Sequence, residues 1–146
     1  MAARILPILC LLAAVWTTAC NSSEPAPQPQ PQPRVFGRWD MVELHGQPRA
    51  FQGEVPYLQI SPDGKLAGFA GVNRFTGQAD PAGLREGRFE PGPMAVTKMA
   101  GSAEAMAFER RFLGALEGST RCEVREGQLE LIAGDTCLAR FAPHHQ

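Results

Sequence analysis

The sequence has no excess of either charge, no apolar run long enough to span a bilayer, and no cluster of catalytic side chains. Fourteen Lys and Arg against fifteen Asp and Glu leave a formal charge of -1 and a pI near 6.3. A balance of this kind carries no basic field for nucleic acid or for an anionic membrane surface, so neither is expected as a partner. The longest apolar run, Ile5 to Trp16, is about 12 residues, well short of the ~20 that cross a bilayer as a helix. Histidine is scarce: His45 falls in a loop, and His144 with His145 in a tail that would lack a third metal ligand. Asp40, Glu43 and Asp63 have no spacing that singles them out as acid and base, and the glycines between Gly68 and Gln78 lack the Gly-Lys-Ser/Thr of a phosphate loop. No enzymatic activity, metal or cofactor is therefore expected.

What is present begins with an export signal. Arg4 supplies a cation, Ile5 to Trp16 an apolar segment, and Thr17, Thr18 and Ala19 the small residues of a cleavage site. Residues 1–19 read as a signal peptide, and Cys20 as the acylated first residue of a lipoprotein. Thr17 stands where such sites usually carry Leu, which leaves simple secretion as the alternative. The following EPAPQPQPQPR (Glu24 to Arg34) is too poor in apolar residues to fold and favours extended polyproline II. At about 3.1 Å per residue it would reach roughly 30–40 Å, enough to hold a domain clear of a membrane. Residues 20–34 are thus a lipidated N-terminus and a Pro/Gln-rich tether. Asn21, by the sorting rule of enteric bacteria, directs the anchor to the outer membrane, facing the periplasm.

From Val35 the pattern changes to short strands. Val35–Leu44 and Tyr57–Ile60 are strand-like, and the turn Ser61-Pro62-Asp63-Gly64 leads into two strand pieces between Leu66 and Ala79. Asp80-Pro81-Ala82-Gly83 reads as a turn and Leu84–Phe89 as the next strand. Ser102–Leu116 has helical period, with Ala105, Phe108, Phe112 and Leu116 on one face, Ser102 as cap and Gly118 at the end. Glu109 sits on the edge of that apolar stripe and should want a partner. A meander follows, Arg121–Arg125, Gln128–Ala133 and Cys137–Phe141. A two-residue first turn and a three-residue second turn place Cys122, Leu129, Leu131, Cys137 and Phe141 on one apolar face, with Ile132 and Leu138 as misfits. A sheet with one buried face and one covering helix is an α+β domain, here residues 35–143.

Four ordered blocks carry a resemblance. GFAGVNRFTGQ (Gly68–Gln78), MAVTKMA (Met94–Ala100), FERRFLGAL (Phe108–Leu116) and QLEL (Gln128–Leu131) resemble the META domain, the HslJ-like family. The resemblance implies a curved, partly barrel-like antiparallel sheet packed on one main helix, and a stress-response accessory role. Members often carry Cys within the G-C-N motif and another after T-x-M; here those places hold Val72 and Gly101, so no function resting on that pair carries over.

The family motif marks Gly71, Asn73, Arg74, Phe75, Gly77, Thr97, Lys98, Met99 and Glu109 as a structural core or a binding surface. On the structural side, Asn73 ties down backbone beside Gly71, Phe75 packs inward, and Arg74 pairs with Glu109. Cys122 and Cys137 are either a disulfide or two buried thiols. The functional expectation is a monomeric, non-enzymatic envelope lipoprotein, held to the membrane by its N-terminal lipid and binding a protein of the envelope. The alternative is a carrier of a lipid or small hydrophobic ligand enclosed between sheet and helix.

Overall fold

The computed structural model describes residues 35–48 and 53–145. The signal peptide, Cys20 and the tether lie outside the described residues. The strands are β1 (Gly37–Leu44), β2 (Gln47–Pro48), β3 (Tyr57–Ile60), β4 (Lys65–Phe69), β5 (Arg74–Gln78), β6 (Ala95–Val96), β7 (Arg121–Arg125), β8 (Gln128–Ala133) and β9 (Thr136–Pro143). The helices are α1 (Pro81–Arg85) and α2 (Ala103–Gly118). All pairings are antiparallel, in the order β6-β5-β4-β3-β1-β9-β8-β7, with β2 beside β1.

The sheet buries one face against α2. Ser102 caps the helix, its hydroxyl accepting from the Ala105 N–H at 3.2 Å. The inward stripe presents Phe112, Ala115 and Leu116, each no more than 1% exposed. The Phe112 ring lies 6.0 Å from Phe75 on β5 and 6.1 Å from Phe141 on β9. Those strands are four steps apart in the order, roughly 19 Å along a flat sheet at ~4.8 Å per step. Two rings that both touch Phe112 stand within about 12 Å of each other, so the sheet wraps around the helix. Phe112→Ala would remove the hub of this packing, at a cost of about 3–5 kcal/mol.

The sheet does not close into a barrel. No ladder joins β7 to β6 or β5 among the described residues; the interval is crossed by an irregular segment. Arg88 bridges to Arg121, the Cys122 N–H donates to the Gly87 carbonyl at 2.8 Å, and the Phe89 N–H donates to the Thr120 carbonyl at 2.9 Å. The same segment reaches β5, where the Gly92 N–H donates to the Gln78 carbonyl at 2.8 Å.

That segment also corrects the sequence reading. Leu84–Phe89 is not a strand. Asp80 caps α1 by accepting from the Ala82 and Gly83 N–H groups, Pro81 occupies the first turn, and Leu84 is buried from a helix.

The meander differs in register. The second turn has two residues, since Ala133 pairs with Thr136, and Ile132 therefore meets Cys137. Leu138 has no residue opposite it, and this bulge restores the pairing of Leu131 with Ala139. Cys122 faces the core opposite Leu131 on β7, while Cys137 shares the outer face with Ile132. The two thiols are therefore on opposite faces with β8 between them, about 9–10 Å across two strand spacings, beyond the ~7 Å reach of a disulfide. Both cysteines are free. The outer face here carries ion pairs, Arg140 lying between Glu43 at 3.1 Å and Glu130 at 3.0 Å.

Candidate functional site

The motif residues converge where the β4–β5 turn meets α2. Gly71 takes φ 112°, a conformation side chains disfavour, and the Ala70 N–H donates to the Asn73 carbonyl at 2.8 Å to close the turn. Asn73 is then buried, 2% exposed, against Glu109, 5% exposed. Its Oδ1 accepts from the Met99 N–H at 2.7 Å and from the Thr97 hydroxyl at 2.8 Å. Its Nδ2 donates to the Met99 carbonyl at 3.1 Å and to Glu109 Oε1 at 3.0 Å. A carboxamide can make four such bonds and this one makes all of them. The backbone N–H of Asn73 adds a fifth link, to Glu109 Oε2 at 2.6 Å. Thr97 completes the knot by accepting from the Arg74 N–H at 3.1 Å.

The expected Arg74–Glu109 pair is absent. Side chains alternate along a strand, so with Asn73 turned inward Arg74 points outward. There its guanidinium donates to the Tyr57 hydroxyl at 2.9 Å and meets Glu54 at 3.4 Å. Glu109 draws its hydrogen bonds from Asn73 instead. Phe75 is 1% exposed, and a Cβ on Gly77 would stand 3.0 Å from Met94. Lys98 is exposed and Met99 is 65% exposed, with only the Met99 backbone in the network. Val72 and Gly101, the departures from the family pattern, stand against each other: a Cβ at Gly101 would lie 2.7 Å from Val72 Cγ2.

The interior between sheet and α2 holds Met41, Phe75, Phe89, Phe112 and Phe141, all at most 2% exposed. A concavity among the described residues lies outside that core. A groove of about 920 Å³ runs between α1 and β7, lined by residues that include Val35, Phe36, Leu84, Arg85, Cys122 and Val124. Its volume is in the range of small-molecule sites. The Cys122 thiol is pushed up to about 11, first by burial and then by the neighbouring Glu123, so it is inert near neutral pH. The sequence reading missed this groove because it took α1 for a turn and a strand. The signal was there in Asp80-Pro81, a capping residue followed by a proline suited to a first turn.

Comparison with known proteins agrees with this architecture. No curated protein matches the chain. Two solution NMR structures are similar. One, of a protein from Burkholderia xenovorans, has a TM-score of 0.57 and 20% identity, covering 97% of this chain and 100% of that one. The other has a TM-score of 0.56 and 17% identity, covering 72% of this chain and 87% of that one. At these identities the likeness establishes the fold. The META domain model matches residues 34–145, which spans every strand and both helices, and the chain belongs to the META domain family.

Proposed function

We propose that the chain is a non-enzymatic binding module of the bacterial cell envelope, a lipoprotein held by acyl groups on Cys20 and acting by contact in a stress-response accessory role. The observation that carries this reading is the closed network at the family motif. Asn73 spends its whole hydrogen-bonding capacity on Thr97, Met99 and Glu109, which suits a lock that shapes the domain more than a site that transforms a substrate. The leader and the Pro/Gln-rich tether support display at a membrane, with the outer membrane as the destination and the domain on its periplasmic side.

Membrane fractionation tests it. The chain is expected in the outer-membrane fraction, and Cys20→Ala is expected to shift it to the soluble periplasm or leave its leader uncleaved in the inner membrane. An unsubstituted chain found free in the periplasm would refute the anchor. Photocrosslinking from Met99, the one large exposed apolar side chain among the described residues, then identifies what the displayed domain touches.

A second reading, a carrier of a hydrophobic ligand, is favoured by the groove between α1 and β7. Core side chains fill the space between sheet and helix, so the ligand of such a carrier would lie in this outer groove.

A further inference from the structure

The charged groups around the groove are unevenly matched. Arg88 meets Glu86 at 2.9 Å and Arg121 meets Glu123 at 3.2 Å. Arg85 has no carboxylate within 4.0 Å among the described residues; its guanidinium donates to the carbonyls of Pro81 at 2.9 Å and Pro62 at 3.1 Å. Carbonyls orient the group without cancelling its charge, and they use two of its five donors. The Phe36 ring lies 5.5 Å from the guanidinium carbon, which joins the cation to the apolar wall. Elsewhere the exposed arginines of the sheet are matched: Arg38 stacks on Tyr57 at 3.9 Å and meets Asp40 at 3.2 Å, and Arg74 holds Tyr57 and Glu54.

We propose that the groove between α1 and β7 binds a medium-chain fatty carboxylate, with the alkyl tail along Val35, Phe36, Leu84 and Val124 and the head group on Arg85. Two features select this occupant. Val35, Phe36, Leu84 and Val124 give the groove an apolar stretch, beside the charged side chains of Glu86, Arg121 and Glu123, which are matched by Arg88 or by each other. Arg85 is the lining cation left without a carboxylate, and its planar fork, with donors to spare, matches the two oxygens of a carboxylate. The buried thiol of Cys122 lines the groove in neutral form, so it adds to the apolar surface. The inference rests on the carrier reading and names a ligand for it; it does not depend on the anchor.

The test uses residues 20–146 carrying Cys20→Ala, which contain every described residue and have no acyl group of their own. Decanoate and decan-1-ol are titrated in turn by calorimetry. Decanoate is expected to bind saturably at one site and more tightly than the alcohol. Arg85→Gln should weaken decanoate by about tenfold, the loss of one charge-assisted contact at a partly exposed site, and leave the alcohol unchanged. Val124→Asp should abolish binding of both, and Arg110→Gln, on the exposed side of α2, should change neither. Unchanged melting temperatures of the variants show that each has folded. Decanoate binding that ignores Arg85→Gln and Val124→Asp would overturn the site. Absence of saturable binding would overturn the ligand class, while the envelope reading stands or falls by its own fractionation experiment.

Discussion

Asn73 and Glu109, 36 residues apart in the chain, are joined twice, by the Asn73 backbone N–H at 2.6 Å and by Nδ2 at 3.0 Å, one to each carboxylate oxygen. Because both oxygens accept, Glu109→Gln must turn an NH2 group against one of two donors. We expect a loss of roughly 2 kcal/mol in urea unfolding, the range for a buried polar group left without its partner. Arg74→Ala, which removes only exposed contacts, should stay within about 0.5 kcal/mol. A double-mutant cycle should couple Glu109 to Asn73 and show no coupling to Arg74. Coupling to Arg74 instead would contradict the network.

Val72 and Gly101 face each other closely enough to be bonded. An ideal Cβ at Gly101 stands 3.5 Å from Val72 Cβ, at the lower edge of the separation found in disulfides. The double variant Val72→Cys, Gly101→Cys is therefore expected to oxidise spontaneously, losing two hydrogens by mass. Closing a loop of about 30 residues should add roughly 3–4 kcal/mol in the chain-entropy model. Gly101→Ala alone should destabilise by about 1–3 kcal/mol, because its methyl would press on Val72. A double variant that stays reduced under air would show that the two positions do not meet.

The Cys122 thiol predicts a pH dependence. Burial raises its pKa to about 11 from an ordinary 9.0. Above pH 9 the unfolded chain gives up this proton while the folded chain keeps it, so the unfolded state binds fewer protons and stability falls as pH rises. The contribution is fully present below pH 9 and is lost between about pH 9 and 11, roughly 2–3 kcal/mol in all. Chemical denaturation of the wild type and Cys122→Ala across that interval should give curves that converge at the alkaline end. Parallel curves would remove Cys122 as the cause.

The placement of the two cysteines on opposite faces predicts that they remain unbonded to each other under oxidising conditions. Alkylation in denaturant without reductant should label both Cys122 and Cys137, and in the native state at neutral pH Cys137, which is half-buried, should react first. Mass spectrometry of a Cys122–Cys137 linked peptide would require a rearranged β8–β9 pair.

The sequence carried most of the strands, because period-2 runs such as Leu129-Glu130-Leu131 and turns such as Ser61-Pro62-Asp63-Gly64 encode local geometry directly. Ser102 and the stripe through Phe112 likewise marked α2 within its first and last turns. The bulge at Leu138 was not legible, since it depends on whether Ala133 pairs with Thr136 across a two-residue turn, and one residue of slip moves every side chain to the other face. At the motif, Glu109's need for a partner could be read from its place on the apolar stripe. The identity of that partner could not, because it follows from which way Asn73 and Arg74 alternate at the start of β5. The groove depends on α1 crossing to β7, a contact between segments with no shared pattern in sequence.

The segment from Gly87 to Gly92 touches β7 at one edge of the open sheet and β5, next to the other edge, and this bears on how copies of the chain meet. An open sheet offers two unpaired edges on which a neighbouring chain can stack and seed fibres. Here one terminal strand, β6, is two residues long, and the other has its backbone taken up at Arg121 and Cys122 by Gly87 and Arg88. Neither end presents a strand-length template. The strap therefore keeps encounters between copies of the chain from growing into edge-to-edge aggregates.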